Sequence, residues 1–119
     1  MSDQSLVALT ATELLDRLAS DEVTPLDLLD TLETRIAQVD GDLNAICTTC
    51  FDRAREHATA LMKKPHNERG VLAGIPVAIK DLEAVSGVRT TFGSPIFSDF
   101  VPTASDCLVE QVEASGGVI

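Results

Sequence analysis

Tryptophan and tyrosine are absent and phenylalanine occurs only four times. A core built on large aromatic rings is therefore ruled out, and Leu, Val, Ile and Ala must fill it. Basic residues are also scarce, with nine Lys and Arg against nineteen Asp and Glu, for a formal net charge of −10. A surface this acidic repels phosphate backbones, which argues against nucleic-acid binding. No apolar run approaches the roughly 20 residues of a membrane-spanning helix. The N-terminus also lacks the basic region and apolar core of a secretory signal. Three cysteines, an odd number, fit a reducing compartment better than a disulfide framework, so the expected location is the cytoplasm. The 119 residues suffice for one small domain with a real core.

Local signals predict four helices. Thr10-Ala-Thr-Glu13 has the spacing of a capping box, and Leu14, Leu15 and Leu18 then share one face, predicting a helix from about Ala11 to about Ser20. Thr24-Pro25 is a second start signal, followed by an apolar stripe of Leu28, Leu29, Leu32, Ile36 and Val39 that ends near Asp40-Gly41. Leu43 to Thr49 reads as a short strand or extended segment. Phe51 to Met62 reads as a third helix with Ala54, Ala58 and Leu61 facing inward, and Pro65 to Gly70 as a polar loop. Pro102 to Asp106 should start a fourth helix with Leu108, Val109 and Val112 on one face, stopped by Ser115-Gly116-Gly117. Val118-Ile119 opens another apolar strand. Because the sequence stops there, the expectation is a fragment. Helices alternating with short β-branched runs predict an α/β fold around a mixed, largely buried sheet.

The stretch from Leu72 to Asp81 organises this pattern. A tight turn at Gly74 leads into the apolar run Ile75 to Ile79, which is short, unbroken and partly β-branched, as expected of a strand buried on both faces. Lys80 then stands where the strand ends. An ammonium is seldom placed against a core unless something there offsets its desolvation, and a lysine whose charged form is disfavoured can act as a base. Taking a lysine from about 10.4 to about 7 requires on the order of 4.6 kcal/mol, which only burial or a second nearby cation could supply. Asp81 opposes that change if its carboxylate lies close. The plainer alternative is that Lys80 snorkels out of the strand end and pairs with Asp81 at the surface.

Three blocks carry a specific resemblance: Leu72-Ala-Gly-Ile-Pro-Val-Ala-Ile-Lys80-Asp81, then Gly87-Val-Arg-Thr-Thr-Phe-Gly-Ser94, then Asp106 with Leu108-Val109 and Gly116-Gly-Val-Ile119. In order and spacing they resemble the opening part of an amidase signature enzyme, and the leading helices with Leu43-Asn-Ala45 before the third helix match as well. The resemblance implies a three-layer α/β/α domain, of which residues 1–119 supply the N-terminal helices and first strands. It implies a C–N hydrolase acting on a small-molecule amide, without cofactor or metal, through a serine nucleophile, a second serine in a cis peptide bond, and a lysine base. Lys80 matches the position of that lysine. The Gly- and Ser-rich segment that supplies both serines has no counterpart in this sequence. By this reading the chain holds the base without its nucleophile and is inactive alone. Ser86 and Ser94 are not substitutes, and Ser94 reads as turn and support.

Two other readings stay open. The parent is a glutaminase like the amidase-related subunit of glutaminyl-tRNA amidotransferases, with a heteromeric partner, where a free-standing amidase would form a homodimer. Alternatively, the product is a non-catalytic truncated remnant or interaction module. Cys47-Thr-Thr-Cys50 has redox spacing ahead of a helix, but it lacks the surroundings of a redox site and the further ligands of a zinc site. Small buried residues are the expectation for its thiols and for Cys107. His57 reads as a solvated helix residue, His66 as a loop residue, and the acidic run from Asp21 to Glu33 as a solvated face.

Overall fold

The structure is a computed structural model that describes residues 4–119; the domain expected from residue 1 is thus seen from Gln4 onward, and residues 1–3 lie outside it. A turn of 3₁₀ helix, Gln4–Ala8, leads into α1 (Ala11–Ala19). The capping box is formed: Glu13 N donates to Thr10 Oγ1 at 3.3 Å and Thr10 N donates to Glu13 Oε2 at 2.7 Å. Helix α2 (Pro25–Leu43) begins in the same way. Asp27 N donates to Thr24 Oγ1 at 3.2 Å, Thr24 N donates to Asp27 Oδ2 at 2.9 Å, and Pro25 occupies the first helical position.

α2 runs past its expected end at Asp40-Gly41. Gly41 costs a helix only about 1 kcal/mol, and the stop comes at Asn44, which takes the left-handed conformation (φ 50°, ψ 45°) that asparagine tolerates. Asp40 covers the exit, accepting from Ala45 N at 2.7 Å and Ile46 N at 3.3 Å. Leu43 is therefore helical and exposed, not the start of a strand. The segment from 44 to 50 crosses to α3 (Phe51–Met62) without forming a strand.

Helix α4 (Cys107–Ala114) ends in a Schellman motif, with Gly117 N donating to Val112 O and Gly116 N to Glu113 O, both at 2.9 Å. Its inward face is narrower than predicted. Val109 is buried and Val112 half-buried, but Leu108 is 55 % exposed.

Three aliphatic clusters hold these elements together. Leu6, Leu18 and Leu28 join the N-terminal turn, α1 and α2, with Ile75 packed on them. Leu29, Ala54, Ala58 and Leu61 join α2 to α3 and enclose Val118. Val85, Val109 and Ile119 gather α4, with Ile79 and Cys50 against them. Each fully buried leucine contributes about 2 kcal/mol. Three of the four phenylalanines stay outside: Phe92, Phe97 and Phe100 stack on one another at the surface, with ring centroids 5.4 to 6.1 Å apart.

The acidic run is more than a solvated face. Asp27 closes the α2 cap, while Asp30 and Glu33 hold Arg55 of α3 at 2.8 and 2.5 Å.

The expected sheet is represented, among the described residues, by one parallel bridge between Pro76 and Val118. Val77 N donates to Val118 O at 2.8 Å and Val118 N to Ile75 O at 3.0 Å. Upstream, Leu72 N and Gly74 N donate to Ser115 O and Gly116 O, so the two segments run side by side. The ladder is short for local reasons. Pro76 has no N–H to give, and Ala73 (φ 46°) and Gly74 (φ 103°) leave the extended region just before it. A Cβ on Gly74 would lie 2.4 Å from Pro25 Cγ, so this glycine lets the segment press against the start of α2. Burial on both faces is not met. Val77 and Ile79 are half-buried, and Ala78 and Lys80 are exposed, because helices cover only one side of the segment.

Candidate active site around Lys80

Lys80 closes the extended segment, and its carbonyl accepts from Glu83 N at 3.0 Å, turning the chain. The surface pair with Asp81 does not form. The Asp81 carboxylate instead accepts from Thr91 N at 2.7 Å and from the Thr91 hydroxyl through its other oxygen. Thr91 is fixed in turn: its Oγ1 accepts from Gly93 N at 3.2 Å and its carbonyl from Ser94 N at 2.9 Å. The hydroxyl and amide of Thr91 hold Asp81 below the ordinary carboxylate range, with help from the Arg89 charge. Among the described residues nothing forms an ion pair or hydrogen bond with the Lys80 ammonium. Lys80 is exposed, so the burial that would favour an uncharged amine is not supplied by these residues.

Beside Lys80 lies an apolar cavity of about 730 Å³. Leu32 and Ile36 of α2 form one wall, residues 76–80 another, and Val118 and Ile119 the floor. This is where the lower half of the α2 stripe goes: Leu32 is 37 % exposed because it faces the cavity.

The loop that carries Asp81 and Thr91 is tied to the stretch before α4. Ala84 N donates to Asp106 Oδ2 at 2.5 Å while Asp106 N donates to Ala84 O at 2.9 Å. Ser86 N donates to Ser105 Oγ at 2.9 Å, and the Ser86 hydroxyl donates to Thr103 O at 3.1 Å. Thr90 is buried and donates from its amide to Phe100 O at 3.0 Å. Ser94 caps the short turn Pro95–Phe97 by accepting from Ile96 N. Ser94 thus serves as turn and support, as expected, and Ser86 is likewise occupied in holding the loop.

The thiols depart from expectation. All three are free, and Cys47 and Cys107 are exposed. Only Cys50 is partly buried, and burial pushes its thiol up, opposite to the shift a redox thiol needs. The spacing placed these residues beside a helix start, but the helix turns its alanine face to the core and leaves Cys47 on the cavity rim. Among the described residues no three His, Cys, Asp or Glu side chains cluster as a metal ion would require. His57 is not a solvated helix residue. Its Nδ1 is buried and, among the described residues, has no hydrogen-bond partner; it lies 3.7 Å from Glu113 Oε1, which Arg53 also holds at 2.7 Å. His66 lies in the loop, 3.2 Å from Asp21.

Thr91 and Arg89 stand in the sequence only as members of the Gly87–Ser94 block, and the contact of Thr91 with Asp81 was not foreseen, although paired threonines ten residues after a strand-end aspartate are a visible signal.

A family model described as Amidase matches residues 27–119, and the chain belongs to this family. It is 38 % identical over 104 residues to a glutamyl-tRNA(Gln) amidotransferase subunit of Anaeromyxobacter dehalogenans, covering 86 % of this chain and 21 % of the relative. It is 34 % identical over 122 residues to an acylamidase of Rhodococcus erythropolis, covering 99 % of this chain and 25 % of that protein. A bacterial aryl acylamidase of the amidase signature enzymes superposes with a TM-score of 0.80 at 25 % identity, over 92 % of this chain and 24 % of its own. A protein complex described as vestigial, bearing on the origins of an s-triazine catabolic enzyme, superposes at 0.83 with 28 % identity, over 92 % of this chain and 25 % of its own. The chain spans about a quarter or less of the length of these relatives. Among the described residues no helix is long and apolar enough to cross a membrane.

Proposed function

We propose that the protein carrying this segment hydrolyses an amide bond, with Lys80 as the base. One observation carries the reading: in a chain of the Amidase family, Lys80 lines an apolar cavity and, among the described residues, has no counter-ion there. A neutral Lys80 amine draws a proton through a bridging serine from a serine nucleophile. That nucleophile attacks the amide carbonyl, and water then releases the acyl group. In this reading both serines belong to the part of the relatives' length that this segment does not span, and these 119 residues by themselves lack turnover. In the same reading residues 75–79 and 118–119 are the first strands of the larger, buried α/β/α sheet, which desolvates Lys80. A small-molecule amide fits the cavity, whose volume lies within the usual range for ligand sites. A cytoplasmic location accords with three free cysteines.

The test is Lys80→Ala in the full-length protein, with turnover measured on an acyl anilide. The expected loss is about 100- to 10,000-fold in kcat with an unchanged melting temperature. Retention of most turnover removes Lys80 from the mechanism.

The 38 % identity to a glutamyl-tRNA(Gln) amidotransferase subunit favours a second reading, a glutaminase that works with a partner protein. Glutamine hydrolysis that appears only when a partner is added selects it. Hydrolysis by the unaccompanied protein selects the amidase.

A further inference from the structure

We propose that Thr91 is a positioning residue for Lys80. By clasping Asp81 with both its amide and its hydroxyl, it withdraws the adjacent carboxylate from the ammonium and leaves the amine free to lose its proton. The inference rests on the reading of Lys80 as the base.

The geometry makes the clasp specific. Asp81 follows Lys80 directly in a turn closed by the Lys80 carbonyl and Glu83 N, so a carboxylate released there lies within reach of a flexible four-carbon amine. Instead, one Asp81 oxygen is taken by Thr91 N at 2.7 Å and the other by the Thr91 hydroxyl. The Thr91 hydroxyl cannot swing away easily, because it also accepts from Gly93 N at 3.2 Å, in a turn where Phe92 (φ 54°) and Gly93 (φ 68°) are both left-handed.

The other charged or titratable groups on the cavity wall are Glu83, Arg89, Cys47 and Cys50. Arg89 adds positive charge on the Asp81 side and is anchored by donating to Ser98 O and, at 3.4 Å, to Thr48 Oγ1. The clasp therefore has support from both flanks. A carboxylate paired with Lys80 would stabilise the protonated amine and oppose its use as a base.

The experiment is the pH dependence of kcat/KM in the full-length protein, whose acid limb reports the base. Thr91→Val keeps the amide bond to one Asp81 oxygen but releases the oxygen held by the hydroxyl, and the loosened carboxylate should hold Lys80 protonated. The acid limb should move up by about one pH unit, lowering kcat/KM about tenfold below the limb with the alkaline plateau retained. Thr91→Ser should keep the original profile. Thr91→Val combined with Asp81→Asn should return the limb to its original place, because an amide can occupy the turn without charge. Should Thr91→Val fail to fold, Asp81→Asn alone decides. With the clasp intact its limb should stay within about half a unit of the original, and a downward move of a full unit shows that Asp81 was already engaging Lys80.

A profile in Thr91→Val that falls equally at every pH, or is not restored by Asp81→Asn, overturns the inference and assigns Thr91 a purely structural role. Loss of turnover in Lys80→Ala together with an unmoved Thr91→Val limb rejects the clasp and keeps the base. Retained turnover in Lys80→Ala rejects both.

Discussion

Gly116 does two jobs that no other residue could do together. With φ at +87° it turns α4 into the paired segment, and its carbonyl accepts from Gly74 N at 2.8 Å. A Cβ there would sit 1.9 Å from the Arg69 carbonyl oxygen and 3.0 Å from Ala73 N, both backbone atoms that cannot move aside. Gly116→Ala therefore combines left-handed strain with overpacking and should cost about 3 kcal/mol or more in denaturant unfolding. Gly87→Ala is the control. Its φ is +76°, but nothing lies within 4 Å of the added carbon, so only the conformational cost of about 1 to 2 kcal/mol should appear. Equal costs for the two would mean that the contact with Arg69 is not made in solution. At this scale the place of Lys80 at the end of the extended segment was legible, because a run of apolar residues ending in a charge is a local signal, but its exposure was not. The sequence did not reveal that His57 Nδ1 is buried, because the Glu113 beside it belongs to another helix.

The starts of α1 and α2 were the most legible elements, and for the same reason: a capping box is written in four consecutive residues. Thr24 and Asp27 form theirs reciprocally, and Thr24→Ala should destabilise by about 1 kcal/mol. The two Thr24 bonds are also the chief cause that holds the Asp27 carboxyl below its ordinary 3.8. A depressed carboxyl contributes stability that is complete above the unfolded value and lost as pH falls through the folded one. Thr24→Ala should therefore narrow its deficit as the pH drops below about 4, since the wild type loses there what the variant never had. A deficit that stays constant with pH would show the cap bond to be independent of Asp27 ionisation. The end of α2 and the pairing of residues 75–77 with Val118 were less legible. A lone glycine such as Gly41 does not decide a helix end when Asn44 and Asp40 offer a better cap. Strand length depends on partners far along the chain, and here Pro76 and the left-handed pair Ala73-Gly74 cut the ladder to one bridge. The contact of Thr91 with Asp81 was illegible in the same way, since it exists only once the loop brings the two together.

Net charge acts on the molecule as a whole. At −10 the chain repels itself, and it is spread over extents of 46 × 32 × 21 Å. Two effects of salt compete. Screening relieves the repulsion, but it also weakens the Arg55 pairs with Asp30 and Glu33 and the Arg53 pair with Glu113. Those pairs are partly exposed and each contributes at most about 1 kcal/mol, whereas the excess of carboxylates acts over the entire surface. Added neutral salt should therefore raise the melting temperature at pH 7. The gain should shrink as the pH approaches the sequence pI of 4.4, where the excess negative charge is gone. Near that pH the depressed carboxyls of Glu13, Asp27, Asp30 and Asp81 still favour the folded state, so stability itself should fall only as they protonate further down. A melting temperature that drops with salt at pH 7 would reverse the balance, showing that the interhelical ion pairs outweigh the repulsion they sit in.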